Sequence, residues 1–286
     1  MSDTRPIGVY DSGVGGLTVV SELEAQLPHE RIIYFGDNGR SPYGEKTPEE
    51  ILQFSREIID FLLQRNVKMV IAACNTSSAL ALPYLHNQYG IPLIGLIEPG
   101  VRAAIDATTC GVVGLWATRA TVKSGAYEAE LKRQAHEFRM VSVACPRLVP
   151  IVEGEPISES DLMQVLQEYM NPVEAGEADT LILGCTHYPF LREHIRRIAP
   201  QIRLVDPAAE TVKRAGSVLK ELGLSNSGSH AARPEDLAGA SDEPGTRSRR
   251  ASRLEMHEYY VSGDPEQFRA RAKILTGRDL PIRRWK

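Results

Sequence analysis

The sequence has few cysteines and no long hydrophobic run. Its 286 residues include four cysteines, and no two of them stand at the close spacing of a zinc knuckle or a redox motif. No stretch reaches the roughly 18 consecutive apolar residues that a membrane-spanning helix needs. Residues 1–6 lead directly into a strand-like run, without the apolar segment of a signal peptide. These absences predict a cytoplasmic protein without disulfides or a membrane span.

The sequence also lacks a strong excess of either charge. It carries 33 basic and 37 acidic side chains, which give a formal net charge of −4. A chain balanced in this way has no bulk electrostatic attraction to nucleic acid or to an anionic membrane, so we expect neither as a partner. The hydrophobic fraction of 42% is that of a globular protein, and the length favours two lobes over one small module.

Short apolar runs alternate with amphipathic segments along most of the chain. The clearest amphipathic segment spans residues 47–63, where Thr47, Pro48 and Glu50 form a capping box with proline at the first helical position. This alternation predicts the α/β class, with mainly parallel sheets flanked by helices. The predicted strands are residues 7–10, 32–35, 69–73, 91–97, 111–115, 140–144, 180–183, 202–205 and 259–261, and a helix is predicted at 265–275.

One segment of the first half resembles a segment of the second half. Residues 70–76, Val-Ile-Ala-Ala-Cys-Asn-Thr, correspond to residues 181–187, Leu-Ile-Leu-Gly-Cys-Thr-His, and a glycine-containing strand opens each half. The repeat predicts two similar α/β lobes that face each other, with Cys74 and Cys185 on matching loops. The predicted first lobe is residues 1–98, completed by 207–224 and 254–286, and the predicted second lobe is residues 99–206.

Residues 225–252 depart from this pattern. Leu237 is the only large aliphatic residue in the stretch, where it lies amid Ser, Gly, Pro, Asp, Glu and Arg. A segment of this composition has too little apolar surface to order itself. The stretch is therefore predicted to be a flexible insertion.

Cys74 and Cys185 are the strongest candidates for chemistry, because each follows a buried strand and precedes small polar residues. Ligands bind at the carboxyl ends of parallel strands, so two facing lobes would put these thiols on opposite sides of one cleft. One thiol could remove a proton from a carbon atom while the other returns a proton to the opposite face, which inverts the stereocentre. An ordinary cysteine is mostly protonated at neutral pH, so a neighbouring group must help to create the base. The candidates for that group are Asp11, Glu153 and His187.

The four cysteines allow other interpretations as well. A disulfide between Cys74 and Cys185 is the second chemical use of such a pair, but a reducing cytoplasm disfavours it. Cys110 and Cys145 have no matching polar context. We interpret these two as small buried hydrophobic residues.

Residues 11–16, Asp-Ser-Gly-Val-Gly-Gly, form a glycine-rich turn between the first strand and the first helix. The spacing matches neither the dinucleotide fingerprint nor a P-loop, so no nucleotide cofactor is predicted. Asp11 and Ser12 suit a substrate ammonium group, and we expect the backbone amides at the helix start to be free for a carboxylate. No cluster of His, Cys and Asp at ligand spacing indicates a metal.

Other loops contain polar candidates. Residues 41–44, Ser-Pro-Tyr-Gly, follow the second strand, where the Tyr43 hydroxyl and exposed amides could hold a carboxylate, although the same residues fit a plain turn. Thr118 and Thr121 follow the fifth strand at the position that corresponds to Asp11, and either could bind a ligand or only cap a helix. His187 could equally be a hydrogen-bonded core histidine.

Four motifs in order resemble the glutamate racemases, of the cofactor-independent aspartate/glutamate racemase family. The motifs are residues 7–17, 34–44, 73–79 and 184–189. The resemblance covers residues 6–224 and, more weakly, 254–275. It implies two α/β lobes that enclose the amino acid, interconversion of L- and D-glutamate, and neither pyridoxal phosphate nor a metal.

The resemblance also implies a role for each matching residue. Cys74 is similar to the base for D-glutamate and Cys185 to the base for L-glutamate, while Asp11, Glu153 and His187 match the assisting groups. A homodimer and the supply of D-glutamate for bacterial peptidoglycan are further implications. The substrate-binding residues are expected to be Asp11, Ser12, Pro42, Tyr43, Gly44, Asn75, Thr76, Thr118, Thr121, Thr186 and His187.

Two alternatives remain open at the level of sequence. The first is a related enzyme for aspartate or another small acid, because the sequence does not show how long a substrate side chain the cleft accepts. Residues 186–189, Thr-His-Tyr-Pro, resemble the glutamate branch of the family more than the aspartate branch. The second is a non-catalytic binding or regulatory protein that uses the same cleft. The intact pair of Cys74 and Cys185 argues against this second alternative.

Overall fold

A computed structural model of the chain describes residues 2–228 and 256–285. Most of the predicted insertion, residues 229–252, lies outside the described residues. The strands are β1 (Ile7–Asp11), β2 (Ile32–Gly36), β3 (Met69–Ala72), β4 (Leu93–Ile94), β5 (Val112–Ala117), β6 (Arg139–Ala144), β7 (Thr180–Gly184), β8 (Arg203–Val205), β9 (Glu258–Val261) and β10 (Ile282–Arg284).

Helices separate most of these strands. In the described ranges, no helix is both long and apolar enough to cross a membrane. The helices are α1 (Leu17–Gln26), α2 (Pro48–Leu63), α3 (Asn75–Leu80), α4 (Leu82–Leu85), α5 (Ile97–Ala107), α6 (Arg119–Ser124), α7 (Ala126–Gln134), α8 (Leu148–Val152), α9 (Glu159–Ala175), α10 (Arg192–Ile198), α11 (Pro207–Glu221) and α12 (Pro265–Thr276), with short 3-10 helices at Tyr43–Glu45 and Tyr188–Leu191.

The strands form two parallel sheets with the same internal order. The first sheet runs β10-β9-β2-β1-β3-β4 and the second runs β6-β5-β7-β8. The order β2-β1-β3-β4 is therefore repeated as β6-β5-β7-β8, and the pairings in both sheets are parallel. This confirms the predicted α/β class with two similar lobes. Strands β9 and β10 extend the first sheet beyond β2.

Both sheets are buried on both faces. In β1, Ile7 and Val9 belong to one hydrophobic cluster and Tyr10 to the cluster on the other face. In β7, Leu183 and Ile182 likewise point to different clusters. Strands covered by helices on both faces read as continuous apolar runs, which is why they were visible in the sequence.

The capping box predicted at the start of α2 is confirmed. The Thr47 hydroxyl accepts from the Glu50 amide at 3.2 Å, and the Glu50 carboxylate accepts from the Thr47 amide at 2.8 Å. Ile51 and Ile58 lie on the buried side of the helix. Capping at one end and a buried apolar face fix both the start and the orientation of α2.

The strand predicted at residues 91–97 is much shorter than expected. Only Leu93–Ile94 pairs with β3, and α5 begins at Ile97 with Pro99 in its first turn. The Leu96 amide donates to the Ser78 hydroxyl at 3.2 Å instead of a neighbouring strand. Proline is tolerated in a first helical turn because its missing N–H has no helical partner there. The chain therefore leaves the first sheet early and enters the second lobe.

The two segments that connect the lobes touch each other. The chain passes to the second lobe through α5 and returns through α11, which packs on α1. A Cβ atom at Gly100 of α5 would lie only 3.0 Å from Cγ of Pro207. Glycine at this position therefore allows the two connections to meet.

The interpretation of the two remaining cysteines is half right. Cys145 is buried, as predicted, but Cys110 is exposed. Cys110 lies in the loop between α5 and β5, where its amide donates to the carboxylate of Asp179 at 3.2 Å. The loop lies at the surface, so the expectation of burial was wrong for Cys110.

A buried lysine holds several distant segments of the first lobe together. Lys68 is fully buried and its Nζ lies 2.6 Å from the Glu30 carboxylate. The same ammonium group donates to the carbonyls of Asp3 and Leu224, both at 2.7 Å. Glu30 also accepts from the Asn226 amide at 2.8 Å, so the first residues of the predicted insertion are attached to the lobe.

We predict that Lys68→Met lowers the free energy of unfolding by about 3–5 kcal/mol, because it leaves the Glu30 carboxylate buried without its countercharge. Urea unfolding followed by circular dichroism measures the change. The double variant Lys68→Met with Glu30→Gln should be less destabilised than Lys68→Met alone. The exposed Lys213, changed to Met, serves as the control and should stay within about 0.5 kcal/mol of the unmodified protein. Equal effects at the two lysines would contradict the prediction.

Candidate active site

The candidate residues lie at the carboxyl ends of the central strands. Asp11 ends β1 and Cys74 follows β3, while Thr118 follows β5 and Cys185 follows β7. The strand order changes direction between β1 and β3 in the first sheet, and between β5 and β7 in the second. Such switch points are where open α/β sheets bind ligands.

The two switch points face each other across a narrow cleft. The Thr186 hydroxyl of the second lobe lies 3.3 Å from the Asp11 carboxylate of the first. A Cβ atom at Gly15 would lie 2.7 Å from Nδ1 of His187, so glycine permits this close approach. Cys74 and Cys185 are only 5% and 7% exposed. The structure thus brings both thiols and the candidate Asp11 into one enclosed site.

Cys185 ends a chain of three interacting groups. Its Sγ lies 3.8 Å from Nδ1 of His187, and Nε2 of His187 lies 2.7 Å from the Glu153 carboxylate. Burial alone lowers the pKa of His187, but hydrogen bonds to Cys185 and Glu153 outweigh it and hold that pKa well above its usual value. A protonated imidazole stabilises negative charge on the neighbouring sulfur. His187 therefore lies in the candidate site between Cys185 and Glu153, and its assisting role stays a prediction.

Cys74 has different surroundings. Its Sγ lies 3.9 Å from the Ser12 hydroxyl. Burial and the charge of Asp11 raise the pKa of Cys74 to about 12. At neutral pH this residue is consequently a thiol. One lobe thus presents a proton donor and the other presents a sulfur next to a cation.

The carboxylate of Asp11 is occupied by its own turn. One oxygen accepts from the amides of Gly13 and Gly16, both at 3.0 Å. The amides of Gly13 and Gly16 are therefore not free for a ligand carboxylate, and the expectation was wrong for these two. Burial is the main cause that raises the pKa of Asp11. The Tyr34 hydroxyl adds a further restraint by donating to the Gly13 carbonyl at 2.5 Å.

The loop of residues 41–44 reaches the cleft, but not in the expected way. The Tyr43 side chain is buried and its hydroxyl donates to Asp37, which also pairs with Arg40 at 2.7 Å. That hydroxyl is consequently not free to hold a carboxylate. A Cβ atom at Gly44 would lie 2.9 Å from Cβ of Thr118. The backbone of this loop, and not the tyrosine side chain, is the part that meets the second lobe.

Three threonine hydroxyls join the lobes on this side of the cleft. The Thr76 hydroxyl lies 3.1 Å from that of Thr118 and 3.2 Å from that of Thr121. The Thr118 hydroxyl also caps α6 by accepting from the Thr121 amide at 3.2 Å. Thr118 thus caps a helix and lies in the cleft, and its binding of a ligand stays a prediction.

Sequence reasoning missed two residues around the site. The Tyr127 hydroxyl donates to Oδ1 of Asn75 at 2.5 Å, and Asp37 anchors Tyr43. In the sequence, Tyr127 and Leu131 stand four residues apart on a helix, which is typical of a core position. No sequence signal distinguishes such a tyrosine from a purely hydrophobic neighbour.

A cavity of about 390 Å³ lies beside Glu153. The cavity lining includes Gly13, Pro42, Val149, Glu153, Phe268 and Arg271.

Within the described part of the chain, no group of three or more His, Cys, Asp or Glu side chains is arranged to hold a metal ion.

The chain is similar in sequence and overall fold to known racemases. The profile of the Asp/Glu/Hydantoin racemase family matches residues 16–215. A glutamate racemase from Streptococcus equi subsp. equi is 46% identical over 281 residues, which cover 98% of each chain. The structure of a Bacillus anthracis glutamate racemase has a TM-score of 0.87 at 33% identity, covering 99% of this chain and 98% of the other. For the Francisella tularensis glutamate racemase in complex with D-glutamate the TM-score is 0.82 at 32% identity, with the same coverage. The chain therefore belongs to the Asp/Glu/hydantoin racemase family.

Proposed function

We propose that this protein is a glutamate racemase that moves the α-proton of glutamate between Cys74 and Cys185. The observation that carries the proposal is the placement of two nearly buried cysteines at equivalent strand ends of two facing lobes. Similarity to glutamate racemases over almost the whole chain supports glutamate as the substrate.

The proposed conversion of L-glutamate begins at Cys185. Its thiolate, next to protonated His187, takes the α-proton and forms an S–H bond, which leaves the electron pair on the α-carbon. The Cys74 thiol then donates its proton to the opposite face, forms the new C–H bond and becomes a thiolate. D-glutamate follows the same steps in reverse. The α-proton is exchanged through groups that themselves exchange with water.

The assisting groups differ between the two half-reactions. On the Cys185 side, Glu153 holds His187 at 2.7 Å and favours its protonated form. On the Cys74 side, burial and then the charge of Asp11 raise the pKa of the thiol, and burial raises the pKa of Asp11 itself. Asp11 is thus suited to carry a proton while Cys74 is a thiolate, because protonation removes the unfavourable charge between them.

Polar groups from both lobes are available to bind the substrate in the cleft. Asn75 and Thr76 follow Cys74, and Thr186 and His187 follow Cys185 at the equivalent positions. The proposed remaining contacts are Asp11, Ser12, Pro42, the Tyr43 and Gly44 backbone, Thr118 and Thr121.

The proposal includes the cellular role that the family resemblance implies. D-glutamate made by this enzyme would supply peptidoglycan synthesis, and the enzyme would act as a homodimer in the cytoplasm. All four cysteines are free, as a reducing compartment maintains.

We predict that purified protein without added cofactor exchanges the α-proton of L-glutamate for deuterium in D2O and produces D-glutamate. Proton NMR follows the exchange, and chiral chromatography follows inversion. Cys74→Ser and Cys185→Ser should each slow inversion by about 10²–10⁴-fold, because each removes one of the two proton-transferring groups. Cys110→Ser is the matched control, since Cys110 is exposed in a loop, and it should keep full activity.

Residual exchange by the variants tests the assignment of each base. Cys74→Ser should still exchange the α-proton of L-glutamate without inverting it, and Cys185→Ser should do the same for D-glutamate. Exchange of aspartate but not glutamate would keep the mechanism and change the substrate. Binding without exchange for every small amino acid would replace the racemase with a binding protein.

A further prediction concerns the pH dependence of activity. His187 is protonated below its raised pKa, so activity should fall as the pH increases through that value. Glu153→Gln removes a carboxylate that raises the pKa of His187, so the alkaline limb of kcat/KM should move to lower pH by about 1 unit. Glu155→Gln, a nearby exposed acid, is the control and should leave the limb in place. An unmoved limb in Glu153→Gln would refute this role of Glu153.

A further inference from the structure

We infer that Tyr127 of the second lobe is a positioning residue that aims the side-chain amide of Asn75 at the substrate. The inference depends on the proposed function, because Asn75 is one of the proposed substrate-binding residues. Asn75 directly follows Cys74, so its orientation bears on how the substrate meets that thiol.

The contact between the two residues crosses the cleft. Tyr127 lies on α7 and is fully buried in the cluster that contains Val101 and Leu115. Its hydroxyl donates to Oδ1 of Asn75, a residue of the first lobe, at 2.5 Å. Because the ring is enclosed by the core of its own lobe, the hydroxyl is held at a defined place.

This hydrogen bond decides which end of the amide faces a ligand. A carboxamide has an acceptor oxygen at one end and a donor NH2 group at the other. With Oδ1 bound to Tyr127, the Nδ2 group is the end left to meet the substrate. Burial raises the pKa of Tyr127, so its hydroxyl remains a donor across the working pH range. Asn75 is thereby presented as a donor, which suits a carboxylate of an anionic amino acid.

Tyr127 also lies next to the connection between the lobes. A Cβ atom at Gly100 would be 3.6 Å from the Tyr127 hydroxyl and 3.0 Å from Pro207. The hydroxyl that binds Asn75 therefore lies beside the place where the two connecting segments touch.

Tyr127→Phe tests the inference, because it removes only the hydroxyl and keeps the buried ring. With the full-length protein we expect the KM for both L- and D-glutamate to rise about tenfold, and kcat to stay within about twofold, since the lost contact orients a binding group. Tyr169→Phe is the matched control: it removes a tyrosine hydroxyl from the same lobe, one that accepts from the Arg147 amide, and it should leave KM unchanged.

A double-variant cycle separates positioning from packing. If Tyr127 acts through Asn75, then Tyr127→Phe should have no further effect on KM in an Asn75→Ala background. If the effects of the two substitutions on KM multiply in the double variant, Tyr127 acts independently of Asn75 and the inference is overturned. A fall in both kcat and melting temperature for Tyr127→Phe, with unchanged KM, would also overturn it in favour of a packing role.

The unmodified protein, assayed in parallel, distinguishes failure of the proposed function from failure of the role of Tyr127. If it racemises glutamate and Tyr127→Phe behaves identically, only the role of Tyr127 fails. If it does not act on glutamate, the proposed function fails and the role of Tyr127 in it fails as well.

Discussion

The cleft depends on the interactions of one group, the buried carboxylate of Asp11. It closes the β1–α1 turn through the amides of Gly13 and Gly16, and it meets Thr186 of the other lobe. Burial raises the pKa of Cys74, and the charge of Asp11 raises it further. One side chain therefore fixes the turn, contacts both lobes and contributes to keeping a thiol protonated. A neutral replacement of the same shape would preserve the first two effects better than the third.

The two lobes repeat the same backbone arrangement, but different side chains stand at the equivalent positions. Asn75 and Thr76 after the first cysteine correspond to Thr186 and His187 after the second. The lobes are alike in strand order, so both sulfurs approach the cleft from strand ends. The histidine is present on one side only, so the surroundings of the two sulfurs differ. In the proposed reaction this difference would let one sulfur act as a base while the other acts as an acid.

Much of the fold could be predicted from the sequence, because buried parallel strands and capped helices have local sequence signals. The capping box at Thr47 and the repeat around Cys74 and Cys185 are examples. What the sequence could not predict depends on contacts between distant segments: the Tyr43 hydroxyl binds Asp37, and the Tyr127 hydroxyl crosses to Asn75. A tyrosine at a core position looks the same whether or not its hydroxyl finds a partner. Surface exposure of Cys110 was hidden for a similar reason, because it depends on where its loop lies.

The contact between Gly100 and Pro207 has a mechanical consequence. In the described part of the chain the lobes are joined through two segments, α5 and α11, and these pack side by side. A larger residue at Gly100 would push the two connections apart and so change how the lobes meet. The Tyr127 hydroxyl lies only 3.6 Å from the place where that Cβ atom would stand, so the hydrogen bond from Tyr127 to Asn75 would be disturbed as well.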